Sequence, residues 1–314
     1  MKVFVTGACG QVGSHVAELC LARGDEVLAV DNLETGRRMH LPEVHEMLTF
    51  VEGSIADKPL IDGLIGDFRP DVVVHSAASY KDPENWYQDM LTNGVGGVNL
   101  IKAAKANKVG RFIYFQTALT YGVKPRVSPI PLDHPKNPGS SSYAISKTTT
   151  EDYLELSGID YVTFRLANVI GPRNVSGPLP LFYQRLKSGK RCFVTDARRD
   201  FVFVRDLAST VIKAADGKGR GPYHFSSGAD IPIIELYDEI VRALKLNDYP
   251  EPERRSLAPG DAASILLDPS KTFVDFGDMS FTSLDKIVSA AVAYYDTYGV
   301  EGGYTHLQHM EPAD

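Results

Sequence analysis

The chain has 314 residues, with 40 acidic against 33 basic side chains and a formal charge of −7, a balance that argues against nucleic-acid binding. Its composition, 43% hydrophobic and 23% charged, is that of a globular protein and excludes a disordered chain. No window approaches the roughly 18 apolar residues of a membrane helix, and the length allows about two domains or one large α/β unit.

The sequence runs from Met1 straight into the strand-like KVFVT (2–6) with no cleavable leader, so a cytoplasmic protein is expected. Cys9, Cys20 and Cys192 lack CxxC spacing and read as buried, reduced thiols. A helix-period segment over 11–23 places Val12, Val16, Leu19 and Cys20 on one face and ends at Gly24. Further strands are predicted at 26–31, 48–53, 71–78, 111–117 and 161–167, with helices at 58–67, 85–108 and 143–157 between them. Continuous β-branched strands joined by crossovers of this length predict an α/β fold, a doubly wound parallel sheet. Beyond residue 170 the pattern loosens, with helices predicted at 180–188, 206–215, 232–245 and 282–297. The expected division is a Rossmann domain over 1–170 and a smaller α/β substrate domain over 171–314, with about 198–228 returning to the first. The NVS at 174–176 fits a glycosylation acceptor only by pattern.

TGACGQVG (6–13) sets Gly7, Gly10 and Gly13 between the first strand and first helix, where bare backbone lets a pyrophosphate approach the helix N-terminus. Asp31 ends the second strand, where a carboxylate can accept from both hydroxyls of an adenosine ribose. The same charge would repel a 2′-phosphate and so selects NAD over NADP, although Arg37 and Arg38 lie close enough to weaken that choice. Tyr143 and Lys147, in SSYAISK at the start of a predicted helix, share one face about 5–6 Å apart at Cβ. An ammonium at that range typically lowers a phenol pKa by about 1–3 units, so Tyr143 is expected to exchange protons near neutral pH. Thr117 ends the strand RFIYFQT at the sheet edge where ligands of such folds bind, and can donate to the same substrate oxygen.

TGACGQVGSH, VDNL (30–33), HSAA (75–78), QTALTYG (116–122), SSYAISK, FRLANVIGP (164–172) and RRDFVFVRDLA (198–208) follow one another in an order that resembles the extended short-chain dehydrogenase/reductases. More narrowly, the chain is similar to their NAD-dependent nucleotide-sugar epimerases and dehydratases, which include bacterial enzymes of surface polysaccharide synthesis. The resemblance implies bound NAD, a Thr117/Tyr143/Lys147 triad and a nucleoside-diphosphate sugar between the domains. Tyr143 would take the 4-hydroxyl proton while the nicotinamide takes the C4 hydride; the 4-keto sugar would then turn over and be reduced on its other face. It further implies cofactor contacts at Gly7, Gly10, Gln11, Val12, Asp31, Asn32, Gly36, Ser54, Ile55, Ala77 and Ala78. Substrate contacts are implied at Lys81, Asn168, Arg199 and Asp261. In APGD (258–261), Ala258 stands where the family has an arginine, for which Arg254 or Arg255 is expected to substitute.

Dehydratases and decarboxylases of the family carry acidic residues just after this threonine. Here Ala118 and Leu119 can neither ionise nor donate through their side chains, which leaves C4 epimerisation, with a UDP-sugar as the expected substrate, as the simplest chemistry. The alternatives are a nucleotide-sugar dehydratase or decarboxylase, a net NAD-dependent alcohol dehydrogenase, whose threonine-oxidising members the GACGQVG loop also resembles, and a non-catalytic NAD sensor. His15 and His75 are expected to be structural, and His224, His306 and His309 lack metal-site spacing. No metal is expected. Family members pair through two helices, here 85–108 and 143–157, so a homodimer is expected.

Overall fold

The computed structural model describes residues 1–139, 141–258, 261–277 and 279–300. Seven strands form one parallel sheet: β1 (Lys2–Thr6), β2 (Glu26–Asp31), β3 (Leu48–Glu52), β4 (Val72–His75), β5 (Arg111–Thr117), β6 (Tyr161–Leu166) and β11 (Gly221–Phe225). Their spatial order is β3-β2-β1-β4-β5-β6-β11. The order reverses between β1 and β4, the crevice where open α/β sheets bind ligands beyond the carboxyl ends of their strands.

Alternation along each strand divides the core between the two faces. Val3 and Val5 point to one face, where α1 (Gln11–Arg23) and α7 (Val204–Ala215) cover them with Val16, Leu207 and Val211. Phe4, Leu28, Val73, Phe112 and Tyr114 point to the other. They are met there by Ile61 and Ile65 of α2 (Lys58–Phe68), Leu100 and Ala104 of α4 (Gly97–Ala106) and Leu154 of α5 (Ser142–Ser157). Side chains such as Phe4 and Phe112 are fully buried, each stabilising the fold by about 1.5–3 kcal/mol relative to exposure.

Local chemistry sets the helix ends. The Asp57 side chain accepts from Leu60 N at 3.1 Å to start α2, and Ser141 Oγ accepts from Ala144 N at 3.1 Å to start α5. The stretch predicted as one helix over 85–108 is α3 (Trp86–Asp89), a π-helical stretch (Met90–Gly96) and α4. There the Thr150 hydroxyl donates to the Asn93 carbonyl, taking an acceptor from the helix ladder. A Cβ on Gly97 would sit 2.2 Å from Thr150 Oγ1, so the glycine allows α5 its close approach.

Residues 168–203 leave the sheet through β7 (Asn168–Ile170), α6 (Pro178–Lys187), β8 (Phe193–Thr195), β9 (Arg198–Arg199) and β10 (Phe201–Phe203), and α7 and β11 then return to it. A second core gathers Leu179 and Phe182 of α6, Leu236, Tyr237 and Ile240 of α8 (Ile233–Ala243), and Ile287, Ala291 and Tyr295 of α10 (Leu284–Tyr298). Short pairings complete it: β12 (Ile231–Pro232) with β9, and β13 (Glu253–Arg255) with β8. The short helix α9 (Ser270–Phe276), which sequence reading missed, buries Phe276 against Phe164 and Tyr223. Predicted strand 71–78 stops at His75, because the backbone beyond turns to meet the glycine loop, where Ser76 Oγ donates to Thr6 O at 2.6 Å.

Candidate active site

The glycine loop is held by backbone packing. Gly7 has φ +61°, and a Cβ there would lie 2.5 Å from Ala77 N; one on Gly13 would lie 2.2 Å from Gly7 O. Gly10 meets only Gly7 O, at 3.2 Å, so its outer side is open. Gln11 Nε2 is buried with no partner among the described residues, at the helix end where an anionic ligand would sit. Val12 packs between the two cores.

Asp31 is buried, its carboxyl oriented by Cys9 N and Leu33 N, each at 2.8 Å, and burial raises its pKa against those two bonds. A Cβ on Gly36 would come within 2.9 Å of both carboxylate oxygens, so this glycine keeps their outer side clear. Arg38 lies over the Phe50 ring at 4.7 Å and donates to Leu41 O and Pro42 O, while Arg37 donates to Tyr298 O. Asn32 is exposed and Ser54 half-buried; the Ile55 side chain is buried under Gly96, leaving its backbone to the crevice. Ala77 and Ala78 form the half-buried turn after β4. An orphaned amide, a cleared backbone cradle and a buried carboxylate suit an adenine dinucleotide.

Thr117 closes β5, and its Oγ1 accepts from Leu119 N at 3.1 Å, which leaves the hydroxyl proton to donate outward. Its own N–H donates to Gln116 Oε1 at 2.8 Å, and Gln116 Nε2 donates to Glu151 Oε2 at 3.3 Å. Arg165 Nε donates to Glu151 Oε1 at 3.0 Å, so this buried carboxylate ties β5 and β6 to α5. Tyr143 and Lys147 stand one turn apart on α5. Lys147 is buried with its Nζ 4.2 Å from the centre of the Tyr114 ring and no hydrogen-bond acceptor among the described residues. Burial pushes its pKa down to about 7, against the pull of the Glu151 carboxylate.

The expected lowering of Tyr143 by Lys147 is not found. Burial first, then the Tyr80 phenol and Asp89 carboxyl nearby, raise Tyr143. Desolvation outweighs the single helical neighbour, whose ammonium lies over the Tyr114 ring. Asp89 was not foreseen: it is buried, accepts from Ser79 Oγ at 3.1 Å, and has one carboxylate oxygen unpartnered among the described residues.

His75 is structural, with Nδ1 2.9 Å from Thr6 Oγ1; burial, then the charge on Lys147, hold its pKa well down. His15 is pushed to about 4 by burial and Arg173, and His224 to about 4 by burial, each ring hydrogen-bonded to a backbone carbonyl. His306 and His309 lie outside the described residues, among which no His/Cys/Asp/Glu group could hold a metal. The three cysteines are buried and free. No described helix is long and apolar enough to cross a membrane.

Of the expected substrate residues, Lys81 lies exposed in the loop after β4, and Asn168 is exposed on β7, its N–H donating to Asp200 O at 2.9 Å. Arg199 Nη1 donates to Ala262 O at 2.9 Å and Ala263 O at 3.5 Å, pinning the segment that carries Asp261. Burial lowers its pKa, opposed by Asp261 and Asp230. Asp261, Ala258 and Leu257 face Val123, Lys124, Pro125 and Ser128 across a cavity of about 570 Å³. Neither Arg254 nor Arg255 lines it: Arg254 faces Asp196 at 3.9 Å, and Arg255 pairs with Glu253 at 2.8 Å over the Phe193 ring. The expected replacement for the missing arginine therefore does not come from β13, whose pairing with β8 turns both side chains elsewhere.

The sequence profile of the NAD-dependent epimerase/dehydratase family matches residues 3–226. The chain belongs to that family. It is similar to UDP-glucose 4-epimerase of Mycolicibacterium smegmatis, 31% identical over 271 residues, spanning 80% of this chain and 85% of that one. Among solved structures, the Bordetella bronchiseptica enzyme WbmH in complex with NAD+ superposes with a TM-score of 0.94 at 66% identity, covering 95% of this chain and 99% of that one. WbmG from the same organism, in complex with NAD and UDP, gives 0.89 at 39% identity, covering 97% and 98%. UDP-glucose 4-epimerase from Thermotoga maritima, with UDP-glucose, gives 0.87 at 27% identity, covering 95% and 99%. The coenzyme of the family is NAD, and the cradle from Gly7 to Asp31 fits it.

Proposed function

We propose that this family member is an NAD-dependent epimerase that inverts C4 of a UDP-sugar. NAD, when bound, supplies a hydride acceptor that can return what it takes. Gly7, Gly10 and Gln11 hold its pyrophosphate, and Asp31 accepts from the adenosine ribose. Thr117 donates to the sugar 4-oxygen, Tyr143 carries that oxygen's proton, and Lys147, one helical turn on, holds the nicotinamide ribose side of the site. Asn168, Arg199 and Asp261 hold the nucleotide portion, and Lys81, exposed in the loop after β4, contacts the sugar.

The observation that carries the reading is the neighbourhood of the Thr117 hydroxyl. Ala118 and Leu119 follow it directly, and the Leu119 backbone N–H donates to it, so neither of the two residues after Thr117 can supply the acid or base that elimination or decarboxylation needs. The relatives named as UDP-glucose 4-epimerases and the neighbours holding UDP or UDP-glucose support the same substrate class. A panel of UDP-sugars incubated with the purified protein tests it: one sugar should equilibrate with an isomer of equal mass, with no accumulation of NADH. Loss of water or carbon dioxide, or stoichiometric NADH, would refute epimerisation.

The same reading places the enzyme in the cytoplasm, in surface-polysaccharide sugar supply, as a homodimer. Trp86, Tyr87, Met90 and Val95 on one helical segment, and Ile145, Tyr153 and Leu156 on α5, remain exposed apolar residues. These are the two helices expected to pair. Leu156, 79% exposed, is the residue to test: Leu156→Asp should yield a monomer by sedimentation, and an unchanged mass would place the interface elsewhere.

A further inference from the structure

The cavity between residues 123–128 on one side and residues 257–258 and 261–264 on the other has apolar walls from Val123, Pro125, Leu257, Ala258 and Ala263, and one carboxylate, Asp261, among the described residues. A nucleotide sugar brings a diphosphate to such a site, and Asp261 alone would repel it. Among the described residues, Arg198 pairs with Asp230 at 2.7 Å and Arg255 with Glu253, Arg199 spends one nitrogen on the backbone of 262–263 and keeps the others for the nucleotide, and Arg126 is exposed on the loop without lining the cavity. Lys124 is the single cation among the described lining residues, and it has neither an ion pair nor a hydrogen-bond acceptor among them.

Its loop is framed at both ends. The Tyr121 ring is buried with its hydroxyl 2.6 Å from His224 Nε2, and Ile130 N donates to Leu266 O at 2.7 Å while Asp268 N donates to Ile130 O at 3.0 Å. The facing wall is anchored by Arg198 N to Ala263 O at 2.7 Å. A lysine on a hoop fixed beside a fixed wall presents a point charge on a flexible stem, suited to anionic oxygens whose exact position varies between ligands.

We propose that Lys124 supplies the positive charge this cavity offers to the anionic oxygens of the nucleotide sugar, taking the part that Ala258 cannot. The inference rests on the UDP-sugar reading and names the residue that reads the ligand's charge. The shared chemistry is an anionic oxygen, whether of the diphosphate or of a carboxylate on the sugar.

Calorimetric titration of the NAD-loaded full chain with uridine, UDP, UDP-glucose and UDP-glucuronate, for wild type, Lys124→Met and Lys124→Arg, decides it. Loss of a charge-assisted bond should weaken the affected ligands about ten- to a hundred-fold in the methionine variant, with recovery in the arginine variant and a smaller effect at high salt. Uridine should be unaffected. Equal losses for UDP, UDP-glucose and UDP-glucuronate place Lys124 on the diphosphate; a loss for UDP-glucuronate alone places it on a sugar carboxylate. Unchanged affinity for all three in Lys124→Met overturns the proposal. Failure of the wild type to bind any UDP compound would instead overturn the substrate reading. Because Lys124 is exposed, thermal unfolding should match wild type, and a variant that does not is replaced by Lys124→Gln.

Discussion

Lys147 should be a residue the fold would be more stable without. Its ammonium is removed from water against the Tyr114 ring, and its pKa falls from the ordinary 10.5 to about 7. Between those two values the unfolded chain binds the proton that the folded chain has released, so folding stability rises with pH across that window. Holding the charge in the folded state costs about 5 kcal/mol at pH 6, about 3 kcal/mol at pH 8 and about 2 kcal/mol at pH 9, from the separation of the two pKa values. Lys147→Met keeps the length and apolar stem and removes the titration. In the NAD-stripped protein, urea unfolding followed by circular dichroism should show the variant more stable at pH 6, with its advantage shrinking by about 3 kcal/mol between pH 6 and 9. Groups that do not feel the Lys147 charge titrate alike in both proteins and cancel in the difference, whereas His75, which Lys147 helps to hold neutral, stays neutral through this window by burial in either protein. Turnover should collapse in the same variant. A stability difference independent of pH, or a variant less stable at pH 6, would refute the argument that burial pulls the Lys147 pKa down.

Tyr143→Phe should lower kcat by about a thousand-fold while the protein still retains NAD, measured by turnover and bound-cofactor absorbance; near-normal turnover would remove the phenol from proton transfer. Asp31→Ala should weaken NAD by about ten- to a hundred-fold and narrow its advantage over NADP, since two oriented acceptor oxygens vanish; equal affinities before and after would contradict the ribose contact. Gly13→Ala puts a Cβ 2.2 Å from Gly7 O, and should destabilise the fold by about 1–3 kcal/mol in urea unfolding and abolish NAD retention. Wild-type stability there would mean that the loop can shift. Arg199→Ala should raise KM at least ten-fold with kcat less affected; an unaltered KM would move the nucleotide contact elsewhere.

How much of this was legible in the sequence differs from residue to residue. The glycine trio, Asp31 and YxxxK each carry a local constraint: a backbone that tolerates no Cβ, an acid at a strand end, two side chains one helical turn apart. Glu151 was equally visible, four residues beyond Lys147 on the same helix, and Arg165 stood out as a charge inside an apolar strand, yet their pairing across α5 and β6 could not be seen before the two elements were packed. Arg254 and Arg255 show the converse, since nearness to Ala258 in sequence said nothing about the side to which β13 turns them. Lys124 gave no signal, because a loop lysine is ordinary until a facing wall makes it part of a cavity.

The amino-acid sequence by itself determined the parallel sheet, the positions of its first six strands along the chain, the coenzyme cradle and the candidate triad. These depend on periodicity, glycine and short spacings, which are properties of neighbouring residues. Only the tertiary structure decided that Tyr143 is raised rather than lowered, that burial pulls Lys147 down, and that Lys124 faces Asp261 across one cavity. Each of these depends on desolvation or on contact between segments far apart in the chain, and burial is a property of the packed molecule.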